Sequence, residues 1–491
     1  MSMVLRRVWE LVSSTSRGKV DGSGAEACSR SDLGELEQLP GDILLQILRE
    51  LGPKDAAKMS CVCKALRCLV FDNRLWVHFL QTYQPDPSSD SLFFAEATLS
   101  YGYPLPLPPF HARTPQLSFK HIYGQRARVP GSVIIDGGSG YCKFGWSKYA
   151  SPSGRSATFL EFGNIESPMY THSDHQLRMC TPAVKGTGLF FCNHCLILGL
   201  EKYCYFGFIC YILLSFSALC RMQVKPNTQP VIVSVPICHY DDTESAKASR
   251  RQLKEAIYSA LFDMNVPAVC AVNQATLALF AAKRTSGIAV NIGVGVEVVG
   301  LGALKLTGFL REKMQLNNLN FQSLYTVRTL KEKLCYVALD YEAELSKDAQ
   351  ASFEAVGEGR FTLSKERFQT GEILFQPHLA GVQAMGLHQA IALCMEHCHS
   401  AELAGDSDWY KTVVLSGGSA CLPGLAERLE KELKALLPPY ISNGTRVIPP
   451  PYGADTPWFG AKIIGNLSTF PGPWCVTKKQ FRQKPRLNLI W

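Results

Sequence analysis

The sequence predicts two kinds of folded unit, a small all-α unit near the N-terminus and a larger α/β body after it. Apolar residues from Ile43 to Leu51 recur at helical spacing. From Val133, three β-branched residues lead into a glycine-rich turn, which indicates a buried strand and a hairpin. Eight prolines between Gln84 and Pro130 separate the two patterns. At 491 residues the chain is also too long for one hydrophobic core.

Composition and the N-terminal residues bound the class of protein. Apolar residues make up 46% and charged residues 19%, the balance of a folded protein rather than a disordered one. Residues 1–17 lack the apolar run of a secretory signal, so we expect an intracellular protein of the nucleus, the cytoplasm or both. The 18 cysteines are then expected to be free thiols. Cys192 and Cys195 lack a second pair at zinc-site spacing, so no metal site is predicted.

The all-α unit is predicted to contain three short helices after a flexible tail of residues 1–35. The first helix ends at Gly52-Pro53, because glycine and proline both interrupt a helical run. The second is predicted from one apolar face, and the third is expected to be capped by Asn73. Three helices of this size bury little surface, so a partner or a neighbouring domain is implied. The apolar residues of the second are Met59, Val62, Cys63, Leu66 and Leu69, and those of the third are Leu75, Trp76, Phe79 and Leu80.

Residues 36–83 resemble an F-box in the stretches Leu39–Leu48, Met59–Lys64 and Leu75-Trp76. The resemblance implies a Skp-type adaptor and a cullin-type ubiquitin ligase as partners, with recognition through one helix face. An amphipathic bundle packed on its own protein is the alternative interpretation. The residues that the resemblance assigns to the adaptor are Leu39, Pro40, Ile43, Leu44 and Ile47.

Residues 84–130 are predicted to be a proline-rich linker. Prolines at this density exclude long helices and central strands, because proline lacks the amide hydrogen that both need. Only short helices near Phe94 and Phe119 are expected.

The α/β body begins with a hairpin that can face an anion. Val133–Ile135 leads through Asp136–Gly140 into a second strand, Tyr141–Trp146. The backbone N–H groups of such a glycine turn can bind phosphate, Lys143 could reach that phosphate, and Asp136 could hold a metal ion through water. An ordinary surface turn fits this pattern equally well.

Residues 231–470 resemble the actin family almost without a break, and the actin-like domain is predicted to span residues 131–491. The matching stretches are Lys331–Asp340, Glu366–Phe368, Leu374–Pro377, Leu415–Gly418 and Leu467–Phe470. The resemblance implies a two-lobed α/β ATPase fold with ATP or ADP and Mg²⁺ between the lobes, and it places Gln274 where the attacking water is oriented. The nucleotide-binding residues that it implies are Asp136, Gly138, Ser139, Gly140, Lys143, Lys331, Glu332, Gly417 and Gly418.

The family pattern breaks where its second phosphate hairpin should follow the strand Gly287–Val290. Asn291 replaces the catalytic aspartate, and a neutral amide is a poor partner for a divalent cation. Residues after Gly293 run on without the loop or its strands, and the lysine expected near the adenine is Ala454. We therefore expect no ATP hydrolysis and no enzyme activity, with Gln274 a vestigial residue; weak nucleotide binding stays compatible with the residues that are left.

A second departure is an apolar insertion at about residues 180–220. Tyr203–Cys220 is an uncharged run of 18 residues, the length at which a membrane-spanning helix becomes a candidate. A span here would build Asp136 and Gln274 on opposite sides of a membrane, so we favour a translated non-coding segment and expect no membrane association. The deletion after Gly293 is interpreted in the same way, as a skipped segment. Residues 150–181 bear no likeness to the outer small subdomain of actin, so no filament formation is expected.

With both domains, the chain resembles the F-box-bearing actin-related proteins of plants. The resemblance implies an interaction protein that recruits an unknown target to a ubiquitin ligase. Two alternatives stay open at this point: an actin-like nucleotide switch or weak ATPase, and a subunit of a nuclear assembly. The net charge of +8 is modest, and the C-terminal run Lys478–Arg486 is typical of a solvated tail, so no direct nucleic-acid binding is expected.

Overall fold

The computed structural model describes residues 39–83, 89–102, 118–138, 140–157, 159–162, 165–168, 221–235, 244–293, 301–347, 349–400 and 409–483. These residues form two compact units. The helical unit holds the residues up to 100 together with 107–129 and 467–469, and the body holds the rest. The predicted N-terminal tail, the apolar insertion, most of the linker prolines and Ser139 lie outside the described residues. Within the described ranges, no helix is long and apolar enough to cross a membrane.

The helical unit contains five described helices around one hydrophobic core. Gly52 breaks the first of them, with a φ of 76° that glycine adopts without strain, as the Gly-Pro pair predicted. The core includes the large side chains Trp76, Phe79 and Phe119, and Trp76 donates its indole N–H to the carbonyl of Val70 at 2.5 Å. The helices are α1 (Gly41–Met59), α2 (Lys64–Val70), α3 (Asn73–Tyr83), α4 (Ser89–Thr98) and α5 (Phe119–Arg126).

The predicted second helix is wrong in its first half. Residues 60–63 form a turn, Val62 is exposed, and Cys63 caps α2 by accepting a hydrogen bond from the N–H of Leu66. Asn73 also differs from expectation, since its side chain accepts the N–H of Phe119 at the start of α5. Local spacing alone could not show that this cap serves a helix from another part of the chain.

Much of the segment predicted to be a linker is built into the helical unit. Leu92 of α4 and Phe119 and Ile122 of α5 belong to the same core as Trp76. Short helices near Phe94 and Phe119 were expected, but their role in the core was not. The reason is that the prolines fall between the helices and not within them.

The body is a mixed α/β fold with two main sheets. The larger sheet has the strand order β13-β7-β6-β1-β2-β3, and the smaller one has the order β12-β11-β8. β1, β6 and β7 run parallel, whereas β2 pairs with β1 as the antiparallel hairpin that the glycine turn predicted. The strands are β1 (Val133–Gly137), β2 (Tyr141–Trp146), β3 (Gly154–Ala157), β4 (Phe159–Phe162), β5 (Ile165–Pro168), β6 (Val231–Val235), β7 (Ala268–Asn273), β8 (Ile288–Asn291), β9 (Ala351–Ala355), β10 (Gly359–Leu363), β11 (Thr412–Ser416), β12 (Arg446–Ile448) and β13 (Val476–Thr477).

Each main sheet has its own hydrophobic core. Val133, Val233 and Val269 lie in the core of the larger sheet, and Val413 and Leu415 lie in that of the smaller one. Two cores on two sheets are what a two-lobed actin-like fold predicts. The body helices are α6 (Glu244–Asp263), α7 (Gln274–Ala281), α8 (Ala303–Leu316), α9 (Leu324–Leu334), α10 (Tyr341–Leu345), α11 (Glu366–Glu372), α12 (Leu387–Ser400), α13 (Leu425–Leu436), α14 (Pro439–Ser442), α15 (Thr456–Gly465) and α16 (Lys478–Gln483).

The chain passes from β8 to α8, and residues 294–300 between them lie outside the described part. The expected loss of the second phosphate hairpin falls on this stretch and stays a prediction.

Replacing Gly460 with alanine is expected to destabilise the body. A Cβ at this position of α15 would overlap the carbonyl oxygen of Leu277 in α7, so the two helices would have to separate. Gly460→Ala should lower the free energy of unfolding by about 1–3 kcal/mol, as overpacking usually does. Thermal unfolding measures the effect.

Gly308→Ala is the matched control for that variant. No atom lies within 4 Å of a Cβ at Gly308, which is also in a helix, so alanine there should leave stability unchanged or raise it by up to about 1 kcal/mol. An unchanged melting temperature for Gly460→Ala would contradict the close approach of the two helices.

Candidate functional site

The first candidate site lies at the edge where three parallel strands end. Asp136 on β1 is in register with Ser234 on β6, and Gln274 starts the helix that follows β7. Ser234 Oγ donates to Asp136 Oδ1 at 2.5 Å, and Gln274 Nε2 donates to the same oxygen at 3.1 Å. Ligands of open α/β sheets bind at such an edge. The sequence singled out Asp136 and Gln274, and it missed Ser234.

Lys143 completes this cluster with a positive charge. Its Nζ lies 3.1 Å from Asp136 Oδ2 and also donates to the carbonyl oxygen of Ala454. Asp136 is 1% exposed, so this ion pair neutralises a carboxylate that is removed from water. Both oxygens of Asp136 are thereby hydrogen-bonded within the body.

Two N–H groups of the glycine hairpin serve the protein itself. Gly137 N–H donates to Ser234 Oγ at 3.1 Å, and Gly138 N–H donates to the carbonyl of Tyr141 at 3.2 Å. A Cβ at Gly138 would stand 2.8 Å from that same carbonyl, so the tight turn itself requires glycine. Gly140 is buried, and Ser139 lies outside the described residues. An anion at this turn would have to use N–H groups after Gly138.

The second candidate group, the glycine pair, lies at the end of β11. Gly417 has a φ of 94°, and a Cβ on it would collide with Asn291 Oδ1 and the carbonyl of Ile292. A Cβ on Gly418 would meet nothing within 4 Å. Gly417 is therefore required by the backbone, whereas Gly418 borders open space that a ligand could use.

Lys331 and Glu332 do not join the Asp136 cluster. Lys331 is 4% exposed and donates to Thr307 Oγ1 at 3.1 Å and to the carbonyl of Ala303 at 3.3 Å, both in α8. This burial does not support its expected role at the ribose. Glu332 is exposed and forms an ion pair with Arg328 at 3.1 Å.

Two residues that sequence reasoning missed lie near these candidates. The guanidinium of Arg328 lies 4.7 Å from the centre of the Tyr141 ring, which brings α9 next to the glycine hairpin. Burial raises the pKa of the Cys421 thiol; the Lys143 charge opposes that rise, and the Glu332 charge adds to it. Neither a lone arginine nor a lone cysteine carries a sequence signal, so only the fold could identify them.

The residues of these two groups match part of a nucleotide site and not all of it. The buried hydroxyls of Ser416 and Ser419 have no hydrogen-bond partner among the described residues, which suits an added polar group. The carboxylate of Asp136 is already paired, and Asn291 adds no charge for a cation. The described residues also include no group of three metal-ligating side chains. The set therefore does not fit Mg²⁺ with a triphosphate.

The third candidate site is the apolar face of α1. Pro40 and Ile43 are exposed, the latter by 43%, and Leu39 and Ile47 are half-buried. Leu44 corrects the prediction, because it is only 8% exposed and packs inside the helical unit. Leu44 shares its helix face with the buried Leu48, four residues on, whereas Ile43 shares its face with Ile47.

Family models match both units. A model described as Actin matches residues 310–485, which lie in the body except for 467–469. A model described as F-box-like matches residues 36–82, which include α1, α2 and most of α3. The helices α4 and α5 lie outside that match.

The chain is also similar to proteins from two plants along nearly its whole length. It is 60% identical over 511 residues to Actin-related protein 8 of Arabidopsis thaliana, covering 99% of this chain and 100% of that protein. It is 55% identical over 516 residues to Actin-related protein 8 of Oryza sativa, subspecies indica and japonica, covering 99% of this chain and 98% of each relative. Both alignments are longer than this chain of 491 residues, so these relatives contain residues that it lacks.

Removing the charge of Lys143 is expected to destabilise the body. Lys143→Met leaves the buried carboxylate of Asp136 without its cation, which should lower the free energy of unfolding by about 3–5 kcal/mol. The double variant Asp136→Asn/Lys143→Met should recover part of that loss, because no charge is then left unpaired. Denaturant unfolding of the two variants measures the difference.

The ion pair of Arg155 with Asp455 is the matched control, since the Arg155 side chain is 56% exposed. Arg155→Met should cost less than about 1 kcal/mol. Equal costs for Lys143→Met and Arg155→Met would contradict a special role of the buried pair.

Proposed function

The chain belongs to the actin-related protein family, and from that membership together with its F-box-like domain we propose that it is a substrate-recruiting adaptor of a ubiquitin ligase. In this proposal the helical unit binds a Skp-type adaptor and, through it, a cullin. The actin-like body selects the protein that is to be modified. The chain itself catalyses no step.

The observation that carries the proposal is the apolar face of α1. Ile43 is 43% exposed and Pro40 is exposed within the stretch that matches the F-box-like model. Apolar side chains on one helix face are the usual anchors of helix recognition, and covering them removes apolar surface from water. Leu39 and Ile47 flank these two residues and are half-buried, so they extend the same surface.

The body is suited to a binding role because its catalytic parts are incomplete. Phosphoryl transfer needs charge neutralisation at the β- and γ-phosphates and a placed water molecule. Gln274 could place a water, but its Nε2 is bound to Asp136 and to the carbonyl of Gly137. Asn291 and the shortened segment after Gly293 remove the other half of the phosphate site. A nuclear or cytoplasmic location suits this role, and polymerisation like that of actin is not proposed.

A nucleotide-sensing body is the second candidate function. The unpartnered hydroxyls of Ser416 and Ser419 and the open space beside Gly418 favour it. These features suit a neutral, hydrogen-bonding group such as a nucleoside better than a triphosphate with Mg²⁺. In this second candidate function the body binds a nucleotide as a signal and does not hydrolyse it.

A charge placed on the α1 face is expected to abolish recruitment. Ile43→Asp puts a carboxylate into the proposed contact and should weaken binding of the Skp-type adaptor at least about tenfold, as loss of a central apolar anchor does. The Leu39→Ala/Pro40→Ala double variant should act in the same direction. Co-purification of the tagged full chain with the adaptor and cullin measures the effect.

Gln81→Asp is the matched control, because Gln81 is an exposed residue of α3 and not of the proposed face on α1. It introduces the same charge and should leave capture intact. If Ile43→Asp were captured as well as the parent protein while both remained folded, the ligase-adaptor proposal would be wrong.

Titration with nucleotide separates the two candidate functions. We expect no turnover of ATP with Mg²⁺ and no stronger binding of ATP than of ADP or adenosine, because the γ-phosphate finds no complete site. Calorimetry with the three ligands and a phosphate-release assay make the comparison. Turnover that disappeared in Gln274→Ala would favour the enzyme and overturn the adaptor-only interpretation of the body.

A further inference from the structure

The helical unit contains a short segment from the far end of the sequence. The chain leaves this unit after Val129 and returns to it for residues 467–469 alone. Leu467 is completely buried. The unit therefore extends beyond the stretch 36–82 that matches the F-box-like model.

Ser468 is bound within the helical unit by a buried carboxylate. Its backbone N–H donates to Glu96 Oε1 at 3.0 Å, and its Oγ donates to Glu96 Oε2 at 2.6 Å. The next residue, Thr469, donates its Oγ1 to the carbonyl of Ser100 at 2.9 Å. Three hydrogen bonds thus join the segment to α4 and the residues just after it.

Glu96 needs these donors because it is almost entirely buried. The residue is 2% exposed, and Arg126 of α5 lies 3.5 Å from its Oε1. Burial raises the pKa of Glu96, and the positive charge of Arg126 and the hydrogen bonds of Ser468 oppose that rise. A buried carboxylate that loses its donors is costly, because nothing replaces the water that it gave up.

The same two helices that carry this pair also support the F-box core. Leu92 of α4 and Phe119 and Ile122 of α5 pack with Trp76 and Phe79 of α3. Loss of the Glu96–Arg126 pair would therefore loosen α4 and α5, which share one hydrophobic core with α1 and α3. Three F-box helices alone bury too little apolar surface to form a stable fold.

We propose that the F-box of this chain is completed by residues 467–469, so that Ser468 is a positioning residue for α4 and α5, the two helices that pack against the F-box core. The F-box is then not a free-standing module. Its stability depends on three residues, 467–469, that lie more than four hundred positions after the start of α1 at Gly41. This inference concerns folding and stands whether or not the ligase role is correct.

Hydrogen exchange on the full chain tests the proposal. Ser468→Ala removes one of the two hydrogen bonds to Glu96 and should raise the exchange rates of amides in α3, α4 and α5 about tenfold, the equivalent of one lost bond to a buried charge. Amides of β6 and β7 in the body should keep their rates. Glu96→Gln/Ser468→Ala should lose less protection than the sum of the two single variants, because the two side chains act on each other.

Ser346→Ala is the matched control, since Ser346 is a body residue whose hydroxyl donates to a backbone carbonyl at an exposed position. It should leave the exchange rates of α3, α4 and α5 unchanged. Unchanged rates in those helices for Ser468→Ala, or an equal rise in both units, would overturn the proposal.

Discussion

The neutralisation of Asp136 is the interaction on which the candidate site at the sheet edge of the body depends. A carboxylate that is 1% exposed is stable only with a cation and hydrogen-bond donors at hand. Lys143 supplies the charge from β2, Ser234 supplies a hydroxyl from β6, and Gln274 supplies an amide from α7. Parallel pairing of β1, β6 and β7 brings Asp136, Ser234 and Gln274 to one edge, and the antiparallel hairpin places Lys143 opposite Asp136. The same arrangement that holds the sheet edge together also occupies the groups that a metal and a phosphate would need.

The same constraint recurs at two other buried acids. Glu372 on α11 is fully buried, and Arg428 on α13 binds both of its oxygens at 3.2 Å. Glu96 in the helical unit is matched by Arg126 and by Ser468. At both acids burial raises the pKa and the arginine charge opposes the rise. Each of these partners comes from a separate helix or from a distant segment. The buried acids therefore fix which parts of the chain pack together.

Prediction from the sequence succeeded where the signal was local. The break of α1 at Gly52 and the hairpin of β1 and β2 follow from glycine geometry, and the structure has both. It gave less where burial decided the outcome. Leu44 is buried, and Lys331 of α9 donates to Thr307 of α8. Neither fact can be derived from spacing, because spacing gives the face of a helix and not what covers that face.

The sequence by itself determined the two kinds of unit and the F-box-like and actin-like families. Those conclusions rest on residue identity in the matching stretches, which is visible without coordinates. The tertiary structure alone decided that Asp136 pairs with Lys143 and that Ser468 belongs to the helical unit. The physical reason is that a buried charge selects its partners by position in space, and chain folding brings together groups that sequence order keeps apart.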